Sequence, residues 1–231
     1  MKLDKLKIVL MSILFLFSIG AMGVYELMNK EENIKPDAVK FKEEYEALND
    51  KQIEGTEKTY KQIELSEKNP FLYASYEDVF KSLEKTAVIY LGYPECPWCR
   101  NLVPLLAQAS KKVGMGKIYY INMKEERNVL KLENGEIVEE KKGSEGYNKL
   151  VQKLNDVLPV YEGLENDSLK RIYVPYVFFV KDGKIVDTHT GTIDEQTDPY
   201  TTLTEEESST LLSILVDKFM KVTDTSCGSA C

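Results

Sequence analysis

The chain has 231 residues, with 38 acidic against 30 basic side chains, a net charge of −8 and a single histidine. An acidic chain without a basic stripe does not track a phosphate backbone, which excludes nucleic acid as a partner. The four cysteines fall in two close pairs, Cys96/Cys99 and Cys227/Cys231, a usage that fits an oxidising compartment.

At the start, Lys2, Lys5 and Lys7 stand against one acid, Asp4, and Ile8 to Tyr25 then runs without a charge. Residues 1–25 read as a signal peptide or a single membrane anchor. Ala21-Met22-Gly23 offers the small residues a signal peptidase needs, while the run is also long enough to span a bilayer at ~1.5 Å per residue. The reading leans to an uncleaved anchor. Basic residues before the span place everything after it outside the cytoplasm. The domain is therefore expected outside the cell membrane as a single-pass protein, or secreted if the segment is cleaved.

Residues 26–59 read as a charged linker, a stalk or a segment packed on the domain. Phe41, Tyr45 and Leu48 mark one face of a short helix over Ala38–Asn49. From residue 60 to 223 the length suits one compact domain. Lys61–Leu65 reads as a first, edge strand. Ser75, followed by Glu77 and Asp78, signals a helix start, with Val79, Phe80 and Leu83 as its apolar face.

Ala87-Val88-Ile89-Tyr90-Leu91 is a short apolar run, read as a buried strand. It leads into Tyr93-Pro94-Glu95-Cys96-Pro97-Trp98-Cys99-Arg100, and Leu102, Val103, Leu105, Leu106 and Ala109 then recur at helical spacing until Gly114. Cys96 thus falls at the first turn of a helix, where unpaired N–H groups and the positive end of the dipole favour thiolate. Cys99 lies on the same face and can close a small ring with it. Zinc needs four ligands, and only Cys227, Cys231 and His189 remain, at awkward separations, so no metal and no cofactor is read here. A structural disulfide at this spacing closes too short a loop to constrain the unfolded chain. Redox chemistry is the stronger reading, with Cys96 as nucleophile and Cys99 as resolving thiol. Pro97 suits the first helical turn, and Trp98, the only tryptophan, is placed to cover the site. Glu95 and Arg100 read as solvated charges, either of which could tune the thiol.

Lys117–Asn122 is the next strand, completing an α/β alternation that implies parallel pairing. Residues 123–171 carry a hairpin with Asn134-Gly135 at its turn, and a helix marked by Tyr147, Leu150, Val151, Leu154 and Leu158 that Pro159 ends. Val174-Pro175 opens another strand, because proline is tolerated at a strand's beginning. Asp182-Gly183 turns it into Lys184–Thr190, where His189 reads as a strand residue without chemistry. Thr204 and Glu207 form a capping box for a last helix whose apolar residues run from Leu211 to Met220.

Strand, Cys-Pro-Trp-Cys and helix, followed downstream by Val174-Pro175, resemble the thioredoxin superfamily over roughly Tyr60 to Val222. The resemblance implies a thioredoxin-like α/β fold with a hairpin and helix inserted before a cis-proline strand, all preceded by the N-terminal hydrophobic segment. It also implies that Val174 and Pro175 flank the sulfurs and leave backbone groups for an extended substrate, and that Gly191 lies near the groove. More narrowly, the chain is similar to thioredoxin-like proteins tethered outside the membrane of Gram-positive bacteria, including the bacteriocin transport accessory type.

One departure stands out. Thioredoxins carry a buried aspartate six positions before the first cysteine, for proton transfer at the deeper thiol, and here the position is Tyr90. Another group must serve, Glu95 being nearest in sequence, or bulk buffer does. In the implied topology the last helix carries the chain about 28 Å from the site. Cys227 then falls short of Cys96, and Cys231 reaches it only fully extended. The tail pair is expected to act between molecules or to form a local disulfide.

The function expected is extracytoplasmic thiol–disulfide exchange with cysteine-containing exported proteins, coupled to a membrane electron donor or acceptor. The alternative is a non-catalytic accessory module that holds an exported peptide or a transporter.

Overall fold

The computed structural model describes residues 35–223. The described elements belong to one compact unit that begins at Asp37. The charge-free run before Tyr25 and the Cys227/Cys231 tail lie outside the described residues. Among those described, no helix is long and apolar enough to cross a membrane.

Helix α1 (Asp37–Glu46) comes first, followed by β1 (Phe71–Tyr73), α2 (Tyr76–Ser82), β2 (Ala87–Gly92), α3 (Pro97–Lys112) and β3 (Ile118–Asn122). Then come β4 (Val129–Glu133), β5 (Glu136–Lys141), α4 (Glu145–Lys153), β6 (Tyr176–Lys181), β7 (Lys184–Thr190) and α5 (Glu205–Thr223). Five strands form one sheet in the order β1-β3-β2-β6-β7. β1, β3 and β2 run parallel, β6 is antiparallel to β2, and β7 to β6.

Central β2 is buried along its whole length, and its period-2 alternation divides the core. Val88 and Tyr90 face a layer with Phe41 and Tyr45 of α1, Leu102 and Leu106 of α3, and Leu215 and Phe219 of α5. Ile89 and Leu91 face the other layer, with Val79 of α2 and Tyr147 and Leu150 of α4. Covered on both faces, the sheet has the mixed α/β architecture that the alternation of elements implies.

Local signals are realised where expected. Ser75 and Asp78 form a capping box at α2, and Thr204 and Glu207 form one at α5. Asn134 and Gly135, at φ 52° and 82°, make the hairpin turn of β4–β5, and Asp182 and Gly183, at φ 49° and 75°, that of β6–β7.

One open alternative is decided and one expectation fails. From Asp37 onward the segment left open between a stalk and packing on the domain belongs to the compact unit, and the short helix expected near Ala38–Asn49 is α1. Phe41 of α1 stacks on Phe71 at 4.0 Å between ring centroids and on Tyr45 at 4.5 Å, and both Phe41 and Tyr45 are fully buried. Lys61–Leu65 is not a strand, and the first strand is β1, further along the chain. Ile63 and Leu65 do point inward, but side chains of the α1 region satisfy their backbone. Ile63 N–H donates to Asn49 Oδ1 at 3.0 Å, Asn49 Nδ2 to the Ile63 carbonyl at 2.8 Å, and Leu65 N–H to Glu46 Oε1 at 2.7 Å. A segment served in this way needs no neighbouring strand.

Candidate active site

Buried β2 delivers the chain to the top of the sheet, and Cys96 takes the N-cap of α3 with extended dihedrals, φ −70° and ψ 117°. Pro97 occupies the first turn, where a missing N–H costs nothing. The Cys96 sulfur fills the role an N-cap oxygen usually plays, accepting the Cys99 N–H at 3.3 Å. It also approaches the Val174 carbonyl at 3.7 Å. The Val174–Pro175 peptide is cis, and the Pro175 carbonyl accepts the Gly191 N–H at 3.3 Å. Residues almost eighty positions apart in sequence thus meet at one sulfur.

A groove of about 490 Å³ opens over Cys96, walled by Tyr93, Pro97 and Trp98 on one side and by Tyr173, Val174 and the 190–194 turn on another, with Arg127 between. A larger cavity of about 560 Å³ lies beside the end of α3, lined by residues such as Leu65, Pro104 and Met115, and touches neither cysteine. Chemistry therefore points to the smaller one. Trp98 is half-buried on the core and also borders the groove, in keeping with a covering role.

The two thiols are unlike. Hydrogen bonding from the Cys99 thiol, aided by the Cys99 and Trp98 backbone N–H groups and by the Arg127 cation, holds Cys96 below the ordinary thiol value although burial opposes it. Cys99 is fully buried, and desolvation pushes its thiol well up, with the Cys96 sulfur adding to the rise. Cys96 is the sulfur disposed to ionise and Cys99 the one held in reserve.

Of the two charges beside the motif, Arg100 departs from expectation and Glu95 does not. Glu95 pairs with Lys124 at 2.7 Å on the surface. Arg100, expected to be solvated, is completely buried. Its guanidinium donates to the Lys61 carbonyl (2.6 and 2.9 Å), the Tyr45 carbonyl (2.8 Å), the Pro94 carbonyl (3.3 Å) and Asn49 Oδ1 (2.6 Å). It ties the end of α1 and the loop after it to the turn that carries Cys96. Those acceptors lie up to 55 positions away, so nothing in the local pattern marks the role. His189 is buried in β7, its Nε2 lacks a partner among the described residues, and burial pushes its pKa down to about 4.

Arg127 and Tyr93 carry no signal of their own in the sequence. Arg127 reaches the groove from the segment after β3, its guanidinium 5.5 Å from the Tyr93 ring centroid and one nitrogen 3.4 Å from Tyr93 Oη.

No protein-family model matches the chain, and no curated protein matches it. Among solved structures the chain is similar to a thioredoxin from Aeropyrum pernix, at 20% identity over 65% of this chain and 86% of that one, with a TM-score of 0.35. It is similar to the Malassezia sympodialis thioredoxin at 17% identity over 65% of this chain and 92% of that one, TM-score 0.35. Thioredoxin O2 from Arabidopsis thaliana, in the oxidised state, is 17% identical over 54% of this chain and 85% of its own, TM-score 0.33.

Proposed function

We propose that the protein is a thiol–disulfide oxidoreductase that works outside the cytoplasm, tethered by its N-terminal apolar segment, and exchanges disulfides with exported proteins through Cys96 and Cys99. One observation carries this reading. Cys96 caps α3 at the floor of an open groove while Cys99 lies buried behind it, so the pair has one thiol for attack and one for resolution. In the reducing direction the Cys96 thiolate attacks a client disulfide, a mixed disulfide forms, and Cys99 displaces the client sulfur. The oxidising direction is the same sequence reversed.

The location rests on Lys2, Lys5 and Lys7 ahead of the charge-free run from Ile8 to Tyr25. Kinship with membrane-tethered Gram-positive proteins of the bacteriocin transport accessory type rests on the Cys-Pro-Trp-Cys motif behind such an anchor. In that reading the hairpin and α4, between β3 and β6, are an insertion that shapes a client surface. A membrane protein would then supply or accept the electrons.

The test is the reduction potential of Cys96–Cys99 in glutathione buffers, in the full-length chain carrying Cys227→Ser and Cys231→Ser. A reversible two-electron couple is expected. A value near −270 mV makes the protein a reductase, and one near −120 mV an oxidant. In cells, Cys99→Ser should accumulate mixed disulfides with exported clients, and Cys96→Ser should not. Absence of a reversible couple would contradict the reading and leave the groove as a binding site only.

A further inference from the structure

The groove over Cys96 carries charge as well as shape, and Arg127 and Asp194 supply it. Arg127 is half-buried and Asp194 is exposed. An arginine brings five N–H donors in a fixed planar fork, and Arg127 leaves most of them unused. Its hydrogen bond to Tyr93 Oη is long, at 3.4 Å, and its Nε is buried without a partner among the described residues. Among the described residues no carboxylate forms an ion pair with it, Asp194 included. Arg100 shows the contrast, since its donors are spent on the carbonyls and the amide that tie α1 to the Cys96 turn. Lys124, three positions before Arg127, is neutralised by Glu95 at 2.7 Å. With 38 acidic against 30 basic side chains in the chain, a groove cation without an acid does not reflect a shortage of acids.

The cation is held in place. Its guanidinium lies 5.5 Å from the Tyr93 ring centroid. The segment that carries it is pinned on both sides: the Glu126 carbonyl accepts the Ser144 N–H at the start of α4 at 2.9 Å, and the Leu130 N–H donates to Tyr161 Oη at 2.9 Å. The Tyr173 wall is fixed too, its Oη accepting the Glu162 N–H at 2.8 Å. Such a side chain loses less freedom when a ligand pairs with it. The other polar side chains of the groove are partly committed already, because Thr192 Oγ1 donates to Gln196 Oε1 at 2.6 Å and Gln196 Nε2 to the Thr201 carbonyl at 2.8 Å.

We propose that Arg127 is a specificity-determining residue, selecting clients that carry an aspartate or glutamate next to the cysteine that Cys96 attacks. This rests on the oxidoreductase reading. The terminal N–H groups of Arg127 donate charge-assisted bonds to the client carboxylate and hold the client disulfide over Cys96. The Cys96 thiolate then attacks the client sulfur, a bond forms between those two sulfurs, and the client disulfide breaks. Its other sulfur leaves with the electron pair and takes up a proton. The chain's net charge of −8 repels an acidic client at a distance, so the preference belongs to close contact in the groove.

The test uses the reduced full-length chain carrying Cys99→Ser, Cys227→Ser and Cys231→Ser, which stops at the mixed disulfide. It is mixed with the homodisulfide of the peptide Ala-Glu-Cys-Glu-Ala or of Ala-Gln-Cys-Gln-Ala, and adduct formation is followed by mass. Each rate is divided by that of the same peptide with a small free thiol, which removes intrinsic differences between the peptides. The glutamate peptide is expected to react about 5-fold faster than the glutamine peptide at low salt, with the ratio shrinking in high salt. Arg127→Gln should bring the ratio close to 1 while slowing the glutamine peptide only about 2-fold, because its effect on the thiol is felt by every client alike. Arg127→Glu should turn the ratio below 1. A ratio near 1 with Arg127 in place overturns the proposal without recourse to any variant at that position, and so does a ratio that Arg127→Gln leaves unchanged. Absence of a mixed disulfide with either peptide would instead defeat the oxidoreductase reading itself.

Discussion

Cys96 and Cys99 share one helical turn and one core layer, yet their surroundings differ. Cys96 looks into a polar groove, with backbone N–H groups, the Val174 carbonyl and the Arg127 cation around it. Cys99 is fully buried in a layer with the aromatic rings of Tyr45, Tyr90 and Tyr120. The difference teaches how a pair of identical side chains acquires an order of action. Hydrogen bonding from the Cys99 thiol, with the N–H groups of the helix start behind it, lowers one thiol, and burial three residues further on raises the other.

The largest expected break in that contrast lies away from both sulfurs. Arg100 holds the end of α1, and with it Tyr45, against the Cys96 turn through a fan of buried hydrogen bonds. Arg100→Met leaves those acceptors buried without donors, and denaturant unfolding should register a loss of about 3–5 kcal/mol. The same variant should open the aromatic layer to water, so Cys99 gains reactivity toward alkylating agents and the two thiols become more alike.

Within β7, His189 supplies a pH limit. Folding holds its pKa at about 4, below the free value, so the native state prefers the neutral ring. Its contribution is fully present above about pH 6.5 and is lost as pH falls toward 4, up to ~3 kcal/mol. Unfolding measured across that window should show a steeper decline in the natural sequence than in His189→Gln. Equal slopes would remove the histidine from the account.

A smaller effect belongs to Arg127. Its charge supports the Cys96 thiolate from across the groove, so Arg127→Gln should slow alkylation of Cys96 at neutral pH by about 2-fold. High salt should shrink the difference between the two proteins, because the site is open to solvent. Cys99 should not respond.

These two surroundings were unequally legible in the sequence. The groove side follows from local rules: an apolar run, a cysteine at a helix start and a proline at N1. The turns with positive φ at Asn134-Gly135 and Asp182-Gly183, away from the groove, are as local. Even Tyr90 stood out, as a departure from the aspartate that the resemblance implies. The aromatic side depends on contacts distant in sequence. Tyr45 reaches Tyr90 across 45 positions and Arg100 reaches Tyr45 across 55, from a helix whose charged flanks read as linker. Lys61–Leu65 shows the same limit in the backbone: its alternation correctly marks inward residues, but side chains from the α1 region supplied the hydrogen bonds that a strand would have needed. Arg127 was hidden for the same reason, since only the chain's return from β3 brings it beside Cys96.

The most direct test of the asymmetry is the pH dependence of alkylation at each cysteine, resolved by peptide mass, in the reduced full-length chain with Cys227→Ser and Cys231→Ser. The account predicts that Cys96 reacts with a midpoint below the ordinary thiol value of about 8.5, while Cys99 stays unmodified through the same range. A Cys96 midpoint at or above that value, or a Cys99 that reacts as early as Cys96, would contradict it.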